Sequence, residues 1–547
     1  MKNLIPLLVV IFYSCVLLSQ ENTIGLLYHD LNKTQEGYTL FNPENQSIVY
    51  LINNCGQVVH TWGTDEIRVP GKEQYLDNSG RLYLASAQPL LENPSFGAGG
   101  SGGVVEILSW NGDIEYRKVL ADSLVRQHHD IHVMPNGNVM AIVWQNVSLD
   151  DAASFGFDTL SNPQIGFWPD KIIEIDPSND SVIWEWNSID HMVQDLNSDL
   201  NNFGVIEEHP ELININYIDF AFGRQDVHHI NSIDYNSDLD QILLSVRNFN
   251  EVWIIDHSTT SLEASTHSGG NSGRGGDILY RWGNPAAYNS GGVSDQKLFR
   301  QHDASWIIDV NHPINGGILC YNNFIAPELS LGNIFIPEIN ALTGDYILDE
   351  NDMFLPAIFS DTINHPEILK TFSTAASNIQ LQPNGNYMMC AGRQGRIFEV
   401  TSDGELVWEY LVPMRNGFSI EQGEEIALSE NFTFSGRKYQ PEFEGFIGKD
   451  LSPKGFIELE PNEAFCELVN IEDVNINSVY IFPNPVSGYI NFKESIVSKI
   501  IITNSIGQVV KIFEEQAGVS ATNVSDLEPG LYILNVIGRK PIKFIKL

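Results

Sequence analysis

Cations are scarce in this chain. Its 547 residues carry 30 lysines and arginines against 70 aspartates and glutamates, a net charge of −40. That balance argues against nucleic acid and against anionic membrane surfaces as partners. Cysteine is sparse too, at five residues. No two are spaced as CxxC, which argues against a zinc ribbon or a thioredoxin-like motif. A phosphate loop of the form GxxxxGK[ST] is missing, so nothing points to a bound nucleotide. Beyond the N-terminus no apolar run reaches the ~20 residues needed to span a bilayer.

What is present begins with a leader. Lys2 is followed by an apolar stretch from Leu4 to Leu18, which predicts a signal peptide over residues 1–20. Cys15 follows Phe12, Tyr13 and Ser14, a poor lipidation context. Export permits disulfides. Cys55 and Cys466 would tie the start of the main domain to its end, and free buried thiols are the open alternative. Apolar residues make up 43% of the chain, enough for a sizeable core.

The middle of the chain repeats one pattern, a strand, a tight turn and a second strand. It recurs in "IVYLINNCGQVVHTW" (48–62), "GVVEILSWNGDIEYRKV" (103–119), "KIIEIDPSNDSVIWEWN" (171–187), 251–284, "GNIFIPEINALTGDYIL" (332–348) and "GRIFEVTSDGELVWEYL" (395–411). Between these lie hairpins of a second kind, such as "HHDIHVMPNGNVMAIVWQ" and "SNIQLQPNGNYMMCAGR". Their Asn-Gly turns suit two-residue hairpin loops. Two alternating hairpins make a four-stranded unit, and six units predict an all-β, six-bladed β-propeller. The last inner hairpin is hard to see near "NFTFSGRKY", and the N-terminal "GYTLFNP" (37–43) is expected to help close the ring there.

Aligning the inner hairpins by their turns makes one position recur as histidine: His129, His229 and His302, with Ser377 in the next unit. His132 aligns instead with Ser232 and Ser305. Folding each hairpin about its turn sets Arg247 beside His229, Gln145 near His129, Asn323 near His302 and Arg393 near Ser377. Such a mouth would gather histidine, arginine and amide groups into the positive pocket an oxyanion needs. The spacing of His128, Asp130 and His132 along one strand face is the alternative, a metal site, but no other unit repeats it. "DLNSDLNNFG" (195–204) is similar to a calcium loop except that Leu200 stands where the sharp turn needs glycine. No metal ligand set and no cofactor is therefore expected.

These residues resemble the bacterial PAPS-independent aryl-sulfate sulfotransferases, over roughly residues 23–460. The marks are "GYTLFNP", "YLINNCGQVVHTW", "HHDIHVMPNGN", "SIDHMVQD", "HHINSIDY…SVR", "GGDILYRWGNP" and "RQHDASW". The resemblance implies transfer of a sulfuryl group from a phenolic sulfate ester to a phenol, without a nucleotide donor, through a transiently sulfurylated histidine. By motif the nucleophile is His302, supported by His129, His229 and Arg247. Gln145, Asn323 and Arg393 are the candidate substrate-binding residues. A secreted propeller that only binds ligands, and an enzyme acting mainly as an aryl sulfate hydrolase, are the alternatives. No Cys/Ser-x-Pro-x-Arg stretch of the formylglycine sulfatases is present.

After Cys466 the sequence changes character. An acidic linker (469–478) leads to "VYIFPNPVSGYINF", "IIITNSIGQVVKIF" and "VSDLEPGLYILNV". Residues 479–547 read as a small β-sandwich and closely resemble the C-terminal sorting domain of type IX secretion cargo. The expected partners are a phenolic sulfate donor, a phenol acceptor and the type IX machinery. The expected domains are a signal peptide (1–20), a propeller (21–468), the linker and the tail, in a protein that is secreted or held at the cell surface. Intact-mass measurement on protein secreted by its native host should find a chain lacking about the first 20 residues and the tail from about residue 470. A full-length cytoplasmic species as the main product would overturn the export reading.

Overall fold

In the computed structural model, residues 22–547 are described except 64–68, 88–96, 162–165, 218–224, 310–311, 464, 469–478, 497–498, 505–508, 514–517 and 537–541. The expected signal peptide and the linker lie outside the described residues. The described chain is all-β, with a few short helical turns.

Among the described residues from 25 to 439 there are six antiparallel sheets of four or five strands, and two short two-stranded pairs beside them. Five inner strands open their sheets in chain order: Val69–Leu76, Val125–Val133, Ile230–Asn236, His302–Trp306 and Asn378–Leu381. The sixth inner strand, Thr433–Tyr439, comes last in the chain yet pairs with Tyr38–Pro43, which leads on to Ile48–Asn53 and Val58–Gly63. "GYTLFNP" thus shares one sheet with the C-terminal "TFSGRKY". A second closure lies at the outer edge of the Asn378 sheet, where Gly25–His29 adds a fifth strand against Leu406–Leu411.

Neighbouring inner strands are in contact, and the series returns from Thr433–Tyr439 to Val69–Leu76. Polar side chains stitch consecutive inner strands together. Asp130 Oδ2 accepts the Ile233 N–H at 3.0 Å, Ser232 Oγ the Ala304 N–H at 2.8 Å, Asp303 Oδ2 the Ile379 N–H at 3.0 Å, and Asn378 Oδ1 the Gly436 N–H at 2.8 Å. Each bond satisfies a buried amide that the strand's own ladder leaves over. Between the sheets, apolar faces pack in clusters built on buried tryptophans such as Trp186, Trp253 and Trp408.

One expected hairpin is corrected. The partner of Leu329–Phe335 on its outer side is Asp361–Ile363, not the "DYIL" of 345–348. Tyr346 packs instead on Tyr280, with ring centroids 4.9 Å apart, and its hydroxyl donates to Gln241 Oε1 at 2.7 Å. The segment 345–348 turns back on residues 338–340, and its apolar pattern serves contacts with the preceding sheet rather than the outer edge of Leu329–Phe335.

The tail forms its own sheets, Ile481–Phe482 with Tyr489–Ile496 and Val519–Asn523, and a four-stranded sheet centred on Ile500–Asn504 and Gly530–Val536. One apolar cluster, running from Val479 to Phe544, is made entirely of tail residues.

Cys55 and Cys466 form a disulfide across a sequence separation of 411 residues, while Cys320 and Cys390 are buried free thiols. A cross-link closing so long a loop restricts the unfolded chain strongly, by roughly 2–5 kcal/mol on the usual scale. Cys55→Ser, or mild reduction of the wild-type protein, should therefore lower the thermal unfolding midpoint measured by calorimetry. An unchanged midpoint would mean that the strand pairings alone carry the closure.

Candidate functional site

The recurring histidines sit where their strands depart from regular pairing. In the Val125–Val133 strand the register slips between the pairs Ala141↔Ile131 and Val143↔Gln127. His129 occupies the bulge with φ +52°, and His229 takes the same left-handed conformation at +53° just before its strand begins. Non-glycine residues held there cost of order 1–3 kcal/mol, a strain that persists only where the surroundings fix it. The bulges re-aim both rings, and their centroids stand 4.4 Å apart. His302 opens its own strand beside another slip in register. All three imidazoles are buried, His302 being 3% exposed.

Each ring is tied through Nδ1. His302 Nδ1 lies 2.7 Å from Asn323 Oδ1 and 3.1 Å from the Arg300 carbonyl. The Asn323 amide cannot be turned round, because its Nδ2 donates to the carbonyls of Ser373 and Ala376 at 2.9 and 3.0 Å. Both groups facing Nδ1 are acceptors, so Nδ1 carries the proton and Nε2 keeps its lone pair. His229 Nδ1 is bound to Asp226 Oδ2, and the other oxygen of that carboxylate accepts Trp144 Nε1–H at 2.9 Å. His129 Nδ1 meets His128 Nδ1 at 2.8 Å, and His128 Nε2 lies 2.7 Å from Asp170 Oδ1. Asp170 accepts at Nε2, so His128 turns its bare nitrogen to His129 and receives the Nδ1–H. In all three histidines Nε2 is the atom left for chemistry.

Electrostatics keeps two of these rings neutral. Burial, then the positive charge of Arg247, lowers the His302 imidazole to about 3. Burial and the neighbouring His229, His128 and His302 hold His129 well below the ordinary histidine value. Asp226 is pushed up to about 7, first by burial and then by the charge of Asp170. Arg247 donates its backbone N–H to the His229 carbonyl at 3.3 Å, and its Nη1–H to Asn248 Oδ1 at 3.0 Å.

A glycine-rich segment roofs the pair. His129 N–H donates to the Gly100 carbonyl at 2.8 Å. A Cβ on Gly100, whose φ is +78°, would fall 2.0 Å from His129 Nε2. Only glycine allows that approach. Phe434, from the last inner strand, faces His129 at 6.2 Å between centroids.

The structure therefore brings Arg247 beside His229 and Asn323 onto His302, as the folded hairpins predict. It sets Gln145 elsewhere. The hairpin folds about Asn136 rather than Gly137, which moves the partner by two, and the bulge moves it by two more, so Gln145 pairs with Val125, and its amide donates to Asn187 at 2.6 Å. Arg393 lies in the turn next to Ser377, whose Oγ accepts the Gly392 N–H at 3.0 Å. His128, Asp130 and His132 do not converge. Asp130 Oδ1 accepts from Tyr75 at 2.8 Å, and His132 Nδ1 is 3.4 Å from Asp234. In the loop at 195–204, Gln194 Oε1 accepts the N–H groups of Leu196 and Asn197. Asp226, Asp170 and the Gly99–Gly100 turn carry no signal in the sequence, and His128 stands out there only as part of the alternative metal set. The one further signal is the doubled "HH" at 128–129 and 228–229, where His228 Nδ1 also stands 3.3 Å from Asp170.

The family model described as Arylsulfotransferase (ASST) matches residues 29–408, and that of the secretion system C-terminal sorting domain matches residues 480–546. No curated protein matches the chain. Solved structures with similarity include a Bacteroides caccae protein of unknown function, 9% identical, covering 74% of this chain and 99% of its own, with a TM-score of 0.39. Virginiamycin B lyase from Staphylococcus aureus is 11% identical, with coverages of 76% and 99% and a TM-score of 0.31. The Cps50 (Swd1) beta-propeller domain of Myceliophteria thermophila is also 11% identical, with coverages of 73% and 91% and a TM-score of 0.33. Scores this low do not establish a common fold.

Nitrogen-15 NMR of labelled protein should find His302 as the neutral Nδ1–H tautomer down to at least pH 5, since its folded value of about 3 lies far below the unfolded one. The sign follows for stability. The unfolded state binds the proton first, so His302 adds stability above about pH 6.5 that is lost as the pH falls toward 3. Protonation of His302 near pH 6 would overturn the assignment.

Proposed function

The chain belongs to the arylsulfotransferase family, and from that premise we propose an exported enzyme that moves a sulfuryl group from a phenolic sulfate ester to a phenol through a sulfurylated His302. The observation that carries this reading is the state of His302, which is buried and neutral, with its proton fixed on Nδ1 and a lone pair on Nε2.

In the first half-reaction Nε2 of His302 attacks sulfur, and the bond from sulfur to the phenolic oxygen breaks. The leaving phenolate, whose conjugate acid has a pKa near ~10, needs a proton. His129 is held neutral, so the proton comes from Nε2 of His229. Asp226 behind Nδ1 stabilises the imidazolium that exists while His229 holds two protons. The Arg247 guanidinium offers a fork of donors to the non-bridging oxygens. In the second half-reaction the acceptor phenol gives its proton to His229, its oxygen attacks sulfur, and the sulfur–nitrogen bond to His302 breaks. No nucleotide donor takes part. Asn323 acts through His302 by fixing its tautomer, and Arg393, beside Ser377, is a further candidate for binding the sulfate.

On the same reading the six sheets are the blades of a six-bladed β-propeller spanning residues 21–468, with the histidines at one mouth of its channel. Residues 479–547 are a β-sandwich sorting tail that addresses the chain to the type IX machinery after the signal peptide has directed it across the inner membrane. Among the described residues no helix is long and apolar enough to cross a membrane.

Rapid-quench mass spectrometry with an aryl sulfate and no acceptor should find the sulfuryl adduct on a His302 peptide. His302→Ala should abolish transfer. Arg247→Ala should cost roughly 10²–10³ in kcat, the usual scale for one donor to a developing oxyanion, and His132→Ala should cost far less. An adduct on another residue, or near-normal turnover in His302→Ala, would sink the mechanism.

A further inference from the structure

Away from these histidines a second cluster forms beyond the outer strand of the sheet whose inner strand carries His129. The strand Ser181–Asn187 ends in a turn, Ser188–His191. Against it lies the glycine-rich loop that runs from Ser261–Ala264 to Tyr280–Trp282. Three ligand atoms meet there. Asp277 Oδ1 is 2.8 Å from His191 Nδ1 and 2.7 Å from His267 Nδ1, and all three lie within 4.8 Å of one another.

The contact pattern marks the ligand atoms. His191 Nε2 lies 2.8 Å from the Ala264 carbonyl. A carbonyl only accepts, so Nε2 carries a proton. Nδ1 is turned to Asp277, a position that a second proton or a metal ion can fill. His267 aims a ring nitrogen at the same carboxylate oxygen, so three ligand atoms converge on one point. A ring N–H held by a backbone carbonyl, with the opposite nitrogen on the ion, is the usual setting of a metal-binding histidine.

The surroundings are built for this approach. Trp186 stacks on His191 at 5.7 Å with an interplanar angle of 3°, and its Nε1–H donates to the Gly276 carbonyl at 2.7 Å. A Cβ on Gly276 would stand 2.5 Å from His191 Nε2 and 2.1 Å from the Ala264 carbonyl oxygen. Asp190 and Glu185 add negative charge on this side, partly offset by Lys171, which pairs with Glu185 at 2.6 Å.

We propose that His191, His267 and Asp277 bind a zinc-class divalent transition metal that clamps the glycine-rich loop to the 188–191 turn. This departs from the sequence-based expectation of no metal ligands. Two imidazoles and one carboxylate suit zinc rather than calcium or magnesium, which favour oxygen ligands throughout. Zinc bonds of about 2.0–2.1 Å set ligand atoms roughly 3.3 Å apart in a tetrahedron. The group opens by about half an ångström to admit the ion, and His267, 61% exposed, is free at the surface to make that movement. Three protein ligands leave the fourth position to water.

The test uses the full chain, stripped of metal and titrated with zinc chloride by calorimetry, with metal content measured after gel filtration. Wild-type protein should retain about one zinc per chain. His267→Gln should weaken binding by at least ~10-fold, on the scale of altered metal-site partners. It should keep the wild-type circular dichroism, because His267 is at the surface. His302→Ala should bind zinc as the wild type does. Cobalt substitution should give the visible absorption of a tetrahedral site, absent from His267→Gln. The proposal fails if the wild type takes up no zinc or if His267→Gln binds equally well. It also fails if His302→Ala is the variant that loses the ion, since the metal would then belong to the other histidines.

Discussion

Everything at the histidine site depends on one constraint, the fixing of each imidazole through Nδ1. A buried ring without such a tie would exchange tautomers and rotate, and its reactive nitrogen would have no settled direction. Here the ties differ in chemistry: an amide for His302, a carboxylate for His229, a second imidazole for His129. The difference gives each ring its own surroundings. The Asn323 amide fixes the His302 proton on Nδ1, while burial and the Arg247 charge keep that ring neutral. The Asp226 carboxylate stands behind His229. Burial and the neighbouring imidazoles hold His129 neutral.

The partners come from far away in sequence, and the stitching of the inner strands makes that possible. Asp130 and Asp303, each next to a site histidine, spend one carboxylate oxygen on the neighbouring strand. Asp303 spends its other oxygen on Arg437 Nη2 at 2.8 Å, and Arg437 also reaches Tyr75 Oη at 3.2 Å. The residues that place the histidines are therefore also the residues that hold adjacent sheets in register, and the site cannot loosen without the ring loosening too.

Much of this was legible in the sequence because hairpins have a period. Turn signals fixed the strands, and their alignment singled out His129, His229 and His302. Reflection about the "NSDLD" turn set Arg247 beside His229, where the register slips by a single residue, between Ile230 and Ser232. The same reflection misplaced Gln145, because that hairpin folds about Asn136 rather than Gly137 and because a β-bulge adds residues to one strand without leaving any trace in the pattern of apolar positions. The "DYIL" segment deceived for a related reason: alternation shows that one face is buried but not against what. Asp226, Asp170, His191, His267 and Asp277 lie in loops or at strand ends, where composition carries no period. Their roles appear only when segments far apart in the chain are brought together.

The pairing of Tyr38–Pro43 with Thr433–Tyr439 gives the protein a timetable. Three strands of that sheet are made near the beginning of synthesis and wait for a partner almost four hundred residues later. Phe434 against His129 and Arg437 against Asp303 arrive with it. A chain that has emerged only as far as residue 432 thus carries His129, His229 and His302 but not the strand that closes over them. The histidine cluster is completed by nearly the last segment ahead of the tail, so its surroundings are finished only once almost the whole chain has emerged.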